Sequence, residues 1–217
     1  MDVNGDTSMK VAKPMANVFA RELLELIRGS HAKMKFANQI LFCNKLFPKK
    51  VNINKFIGGF VVEELFTRML NELGLPCKNT GAITDIYDIE IGDYKYSLKS
   101  TSRLGTDIII RNHRGDRGDV LPVEPTFLIY TTDTKVNIMY IDQESIDACD
   151  YTYKKVKQSD AITSISGGCI RYMANKEMGI IEIETDDVPD AEAIDPATFL
   201  TDYISMMYFE AKRKPRE

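Results

Sequence analysis

The first third of the chain repeats its apolar residues at the spacing of a helix. One apolar stripe predicts a helix from about Ala16 to Arg28, and its members are Val18, Phe19, Leu23, Leu26 and Ile27. A second helix is predicted from Lys33 to Leu46, and it ends there because Pro48 follows. A third runs from about Ile57 to Leu73. The chain therefore begins with a helical layer.

After the third helix the pattern changes to the alternation of β-strands. Two strands, Ile83–Ile91 and Lys95–Ser100, are separated by the turn dipeptide Gly92-Asp93, which predicts a hairpin. We expect the same sheet to continue through Asp107–Arg111, Thr126–Thr131 and Lys135–Ile141. The elements predicted beyond it are a short helix at Gln143–Cys149, a strand at Gly179–Glu184 and a final helix at Pro196–Lys212.

This order of elements predicts an α/β (α+β) fold in which helices flank a central mixed β-sheet. Residues 1–14 have few apolar anchors and are expected to be disordered. Residues 15–217 are expected to form one domain, with its core at about 57–142 and a C-terminal acidic segment and helix at 179–212.

Composition narrows the class of protein. An apolar content of 44% supports a real core, and no apolar run is long enough to span a bilayer. The N-terminal residues lack the basic-then-apolar order of a signal peptide. We therefore expect a soluble, cytoplasmic protein with no membrane partner.

Cysteine and histidine usage argues against several kinds of site. The four cysteines lie singly along the chain, at Cys43, Cys77, Cys149 and Cys169. No pair has the CxxC spacing of a zinc ribbon, and reduced, partly buried thiols are expected. The two histidines, His31 and His113, form no HxxxH pair. A histidine-ligated zinc site and a Ser/His/Asp hydrolase are therefore disfavoured.

The hairpin carries the candidate chemistry. With Gly92-Asp93 as a two-residue loop, alternation assigns five polar residues to one face, namely Asp88, Glu90, Lys95, Ser97 and Lys99. A carboxylate and a lysine then lie near each other on neighbouring strands. Phosphodiester hydrolysis uses such groups, with a carboxylate for Mg²⁺ and a lysine to offset charge at phosphorus. Alternating charges on a solvated sheet face are the plain alternative, and Glu90 opposite Lys95 fits that description.

The amino-acid sequence of this hairpin, from Asp88-Ile-Glu to Ser97-Leu-Lys99-Ser, resembles the PD-(D/E)xK motif of the restriction endonuclease-like superfamily. The resemblance implies a restriction endonuclease-like core, with Asp88 as a metal ligand and Lys99 as a catalytic residue. Ser97 departs from the motif, since it stands where the family has a second acid. A serine supplies no anionic oxygen to a divalent ion. Either another residue supplies the acid or the site is degenerate.

The third helix offers a replacement, because many members of the family have an active-site glutamate on the helix before the hairpin. Glu63 lies at the edge of the helix's apolar stripe and is favoured as catalytic residue and metal ligand. Glu64 is the alternative. Asp85 rivals Asp88 as the metal-binding aspartate, but strand parity groups it with Leu98 rather than Lys99. A bulge in the strand or a three-residue turn would reverse that choice.

Residues after the hairpin suit contacts with DNA. The candidates are Ser100, Thr101, Arg103, Arg111, Asn112, His113, Arg114 and Arg117. Residues 1–120 carry 18 Lys and Arg against 14 Asp and Glu, a net +4, whereas the remainder is acidic. A polar turn between strands would account equally well for the 111–117 loop.

These features together predict a Mg²⁺-dependent DNA endonuclease, of the restriction type or a phage-like relative, in which Mn²⁺ can substitute. Its partner would be double-stranded DNA, and by analogy with restriction enzymes it would act as a homodimer. Two alternatives stay open at this point. One is a degenerate nuclease-fold protein that binds nucleic acid or a protein partner without cutting, and the other is a structure-specific repair or recombination nuclease.

Overall fold

The computed structural model describes residues 7–46, 59, 61–80, 87–101, 108–112, 125–149, 156–158, 162–168 and 180–185. Its longer helices are α1 (Thr7–Gly29), α2 (Ala32–Leu46) and α3 (Val62–Glu72), and α4 (Gln143–Cys149) is short. The predicted second helix and the predicted short helix are confirmed. The predicted final helix and the predicted start of the third helix lie outside the described residues.

Helix α1 begins at Thr7 and not at Ala16, so the predicted start is wrong. Residues 7–14, which were expected to be disordered, belong to this helix. Pro14 lies inside it, where it removes one amide donor without ending the helix. The sparse apolar anchors of this segment were therefore a poor guide, because the segment extends a helix whose later turns are buried in the core.

The main sheet has six strands in the order β1-β2-β3-β5-β6-β9. These strands are β1 (Cys77–Asn79), β2 (Ile89–Ile91), β3 (Tyr94–Thr101), β5 (Thr126–Thr131), β6 (Lys135–Ile141) and β9 (Ile180–Glu184). Strand β3 pairs in parallel with β5, and the other neighbouring pairs are antiparallel. The mixed sheet flanked by helices is thus confirmed. Strand β1 was not predicted.

A second sheet, of three strands, contradicts one expectation. It consists of β4 (Ile108–Asn112), β8 (Ile162–Ile165) and β7 (Val156–Gln158), in that order. The sequence predicts β4 correctly as a strand but wrongly as a continuation of the main sheet. Alternation reveals an extended segment and its two faces, but it does not identify the partner strand.

Packing of the helices on one face of the main sheet forms the core. Phe66 of α3 is fully buried, with ring centroids 5.8 Å from Phe36 of α2 and 5.4 Å from Phe127 of β5. Helix α1 is held to the sheet by the Tyr96 hydroxyl, which donates to the Ala16 carbonyl at 3.0 Å. These contacts fix the position of all three helices over the strands.

Two other observations bear on the sequence expectations. Cys43 and Cys77 are free and buried, and burial raises the pKa of both thiols, to about 12 and about 11 respectively. Reduced, buried thiols are therefore confirmed at these two positions. No helix in the described part of the chain has the length and apolar character that crossing a membrane would require.

Candidate active site

The hairpin forms in the predicted register. Gly92 has φ +58°, a left-handed conformation that glycine adopts without steric cost, and it opens the two-residue loop. Ile91 then pairs with Tyr94, and Glu90 with Lys95. Strand β2 begins only at Ile89, however, so the predicted strand is shorter within the described residues. Beyond the last pair, Ile89 with Tyr96, the regular pairing of β2 and β3 stops at Asp88.

Asp88 stands at the point where β2 leaves β3. Its Oδ2 accepts the Leu98 backbone N–H at 2.6 Å, so its side chain occupies the place of a main-chain partner for β3. Its backbone is held on both sides, since its N–H donates to Tyr96 O at 3.0 Å and its carbonyl accepts the Thr80 N–H at 2.8 Å. The aspartate is thus fixed by the sheet and does not simply project from one face.

Lys99 lies beside this carboxylate. Its Nζ is 3.1 Å from Asp88 Oδ2, with side chains 34% and 19% exposed respectively. A charge-assisted hydrogen bond of this kind joins the two groups while solvent still reaches them. The predicted pairing of these two residues is therefore present. Asp85, the rival aspartate, lies outside the described residues.

Helix α3 brings Glu63 to the same location. Phe66, one turn further along the helix, is anchored between α2 and the sheet, while Asn71 bonds to both backbone groups of Cys77 in β1 at 3.0 and 3.1 Å. Gly74, with φ +78°, closes the helix, and Leu75 N donates to Leu70 O at 3.1 Å. The helix is thus fixed to the strands that carry the hairpin.

The electrostatics of Glu63 show which groups surround it. Burial first, and the neighbouring Asp88 carboxylate second, raise the pKa of Glu63 to about 7, although Lys99 acts to lower it. Asp88 and Lys99 are therefore close enough to affect the charge of Glu63. Sequence reasoning named these same three residues as the candidate site.

Glu64 has different surroundings. Its Oε1 is 2.8 Å from Arg68 Nε, an ion pair across one helical turn. It also raises the pKa of Cys77, which lies on β1. Asp88 and Lys99 are among the groups that shift the pKa of Glu63.

Ser97, the departure from the motif, is 8% exposed and lies in β3 beside β5. Its backbone N–H donates to Pro125 O at 2.9 Å. A carboxylate at this buried position would need a compensating cation or several donors. The anionic groups of the candidate site are therefore Asp88 and Glu63.

Two carboxylates make a limited but workable donor set for Mg²⁺. Among the described residues no group of three or more His, Cys, Asp or Glu side chains has metal-site geometry. Mg²⁺, however, is commonly held by one or two carboxylates together with water and substrate phosphate. Within the same described part, the hydrogen bonds from Leu98 and Lys99 both go to Asp88 Oδ2, and the Asp88 carboxylate opposes the ionisation of Glu63 by charge repulsion. A divalent cation would relieve that repulsion, so these residues fit the ion.

The other predicted DNA-binding residues are described in part. Thr101 shares its face of β3 with Lys99, whereas Ser100 lies on the opposite face by alternation. Arg111 and Asn112 are in β4, opposite Thr163 and Ile162 of the second sheet. Arg103, His113, Arg114 and Arg117 lie outside the described residues.

Sequence reasoning missed the groups that hold the aspartate in place. Thr80, directly after β1, donates its N–H to the Asp88 carbonyl, and its Oγ1 donates to Tyr87 O at 3.3 Å. Tyr87 itself lies under the Lys95 ammonium, 4.7 Å from the ring centroid. The aromatic residue directly before Asp88 was the only sequence signal for this contact.

In comparisons with protein-family models, curated proteins and solved structures, nothing matched the chain. The resemblance to restriction endonuclease-like nucleases therefore rests on the hairpin motif and the helix glutamate.

Proposed function

We propose that this chain is a Mg²⁺-dependent DNA endonuclease, of the restriction type or a phage-like relative, that hydrolyses phosphodiester bonds. The observation that carries the proposal is the contact of Asp88 Oδ2 with Lys99 Nζ at 3.1 Å, beside a glutamate whose pKa is raised to about 7. Perturbed carboxylates near a lysine are typical of catalytic sites.

Each residue has a distinct role in this proposal. Asp88 and Glu63 hold the cation, and Mn²⁺ can replace Mg²⁺. When bound, the ion supplies positive charge at the phosphoryl oxygens and lowers the pKa of a water ligand. Lys99 orients the attacking water and offsets the negative charge that develops on the phosphate. The Leu98 N–H keeps Asp88 in position for both neighbours.

The raised pKa of Glu63 gives this residue a further part. Near neutral pH its carboxyl group carries a proton for much of the time, because burial and Asp88 both oppose its ionisation. Binding of a cation would favour loss of that proton from Oε1 or Oε2. Cation binding and release of this proton are thus coupled at the site.

Double-stranded DNA is the proposed substrate, and a homodimer would cut both strands. Thr101 continues the face of β3 that carries Lys99, so it lies where a bound strand would extend. We further propose that the enzyme acts in the cytoplasm, with DNA-contacting residues among Arg111, Asn112 and the 113–117 segment.

A binding protein without catalytic activity is the second candidate, and Ser97 is the observation that favours it. The buried serine leaves the triplet without its acid, so the cation would depend on Glu63 on a separate helix. A structure-specific repair nuclease would use the same residues on a different DNA form.

Cleavage of plasmid and phage DNA with Mg²⁺ or Mn²⁺ separates these candidates. Discrete fragments that disappear in Asp88→Ala and Lys99→Ala indicate a sequence-specific endonuclease. Nicked plasmid or degradation from the ends indicates a repair nuclease. DNA binding without any cleavage by the wild type would overturn the proposed endonuclease and favour the binding protein.

A further inference from the structure

A row of three charged residues crosses the sheet two residues from Asp88. The register pairs Lys78 of β1 with Glu90 of β2, and Glu90 with Lys95 of β3. Residues paired in this way share one face of the sheet. Lys78 and Lys95 are both exposed, and Glu90 is half-buried between them. The row therefore presents two cations and one anion to solvent.

The ammonium of Lys95 lies over an aromatic ring and not against a carboxylate. Its Nζ is 4.7 Å from the centroid of Tyr87, a cation–π contact. None of the ion pairs among the described residues involves Glu90, although it lies directly opposite Lys95. The contact thus holds the Lys95 ammonium over Tyr87, the residue directly before Asp88. Its positive charge stays available to bind another anion.

Lys95 and Lys99 lie on the same strand and, by alternation, on the same face. Four residues of β-strand separate them by roughly 13 Å. A DNA duplex advances about 3.4 Å per nucleotide, so this distance corresponds to a few nucleotides of a bound strand. Among the described strands, β1, which carries Lys78, is an edge strand of the main sheet.

We propose that Lys95 and Lys78, with Lys95 held by Tyr87, bind the phosphate backbone of the substrate strand a few nucleotides from the bond cut at Asp88 and Lys99. This inference rests on the proposed function and assigns part of the substrate contact to the hairpin itself. The row has a net positive charge, because it contains two lysines and one glutamate. Backbone phosphates bind exposed ammonium groups whatever the DNA sequence. Glu90 moderates the affinity because it lies between the two cations.

Binding of a short duplex oligonucleotide in Ca²⁺, at several salt concentrations, tests this proposal. We expect Lys95→Ala and Lys78→Ala each to weaken binding roughly five- to tenfold at about 0.1 M salt, and to reduce the slope of log K against log salt by about 0.9. Glu90→Gln should have the opposite effect and tighten binding. Tyr87→Leu should weaken binding less than Lys95→Ala, because the lysine remains.

Lys135→Ala is the matched control, since it removes the same charge from β6, three strands away from β2 in the same sheet. All five variants change exposed or partly exposed side chains, and a melting curve checks that each one folds. If the wild type cleaves DNA but Lys95→Ala behaves like Lys135→Ala, the inference is wrong and the proposed function stands. If Lys95→Ala and Glu90→Gln shift binding as expected while the wild type never cleaves, the backbone contact stands and the endonuclease is overturned.

Discussion

Asp88 and Lys99 meet at 3.1 Å although eleven positions separate them in the chain. The tight turn at Gly92 and the register of the hairpin bring them together, and the end of β2 frees the Asp88 side chain to take the Leu98 N–H. A structural hydrogen bond and a candidate catalytic contact thus share one carboxylate oxygen. Substitution can separate the two roles, because asparagine keeps an oxygen for the hydrogen bond but lacks the negative charge, whereas alanine lacks both.

Asp88→Ala should destabilise the metal-free protein more than Asp88→Asn. Alanine leaves the Leu98 N–H without its acceptor, at an expected loss of about 1–3 kcal/mol, whereas asparagine keeps an oxygen there. Urea denaturation at about pH 5, below the pKa of Glu63, measures the difference without repulsion between the two acids. Equal stability of the two variants would show that this hydrogen bond contributes nothing.

Glu63 should make the stability of the metal-free protein depend on pH. Its pKa is about 7 in the folded protein against an ordinary value of 4.5. Between those values the folded protein retains a proton that the unfolded chain has released, so the free energy of unfolding falls as the pH rises. Glu63→Gln should remove this fall, on the order of 1–2 kcal/mol because solvent still reaches the side chain.

Urea denaturation of the wild type and Glu63→Gln in EDTA, across this pH range, measures the effect. Glu64→Gln is the control, because Glu64 is paired with Arg68 at 2.8 Å. If the wild type and Glu63→Gln give the same dependence on pH, the shifted pKa of Glu63 is refuted.

Mg²⁺ should raise the Tm of the wild type but not of Asp88→Asn or Glu63→Gln. An ion that binds only the folded state adds about 2.7 kcal/mol at a hundredfold excess over its Kd. Glu64→Gln should respond like the wild type, since Glu64 is not among the proposed ligands. A full response to Mg²⁺ in Asp88→Asn would remove this residue from the ion site.

The anchor of helix α3 should matter for stability as a whole. Phe66 is fully buried and packs against rings from α2 and β5, so Phe66→Ala is expected to lower the free energy of unfolding by about 3–5 kcal/mol. Val18 is 58% exposed on α1, and Val18→Ala should change the free energy of unfolding by less than about 0.5 kcal/mol. Chemical denaturation compares the two, and similar losses would contradict the packing described for α3.

The hairpin could be predicted because its information is local. A two-residue turn fixes the register, and the register fixes which residues face one another across β2 and β3. The sheet to which β4 belongs could not be predicted, since its partner β8 lies about 50 residues further along the chain and the alternation of β4 carries no sign of it.

The surroundings of the site were harder to predict than its members. Glu63 was favoured from a helical wheel, but its half-buried position depends on Phe66 packing between α2 and β5. The side-chain role of Asp88 as a partner for β3 arises because β2 begins only at the next residue, Ile89. Contacts of this kind depend on where strands separate, which a repeating pattern does not reveal.

The central claim is that Asp88 and Lys99 act as one catalytic unit, and single-turnover cleavage of DNA in saturating Mg²⁺ tests it most directly. Asp88→Asn and Lys99→Met should each slow cleavage at least about a hundredfold, and the double variant should be no slower than the worse single one. Lys135→Met, with the same loss of charge on β6, should cleave like the wild type. Cleavage at the wild-type rate in either single variant, or fully additive losses in the double variant, would contradict the claim.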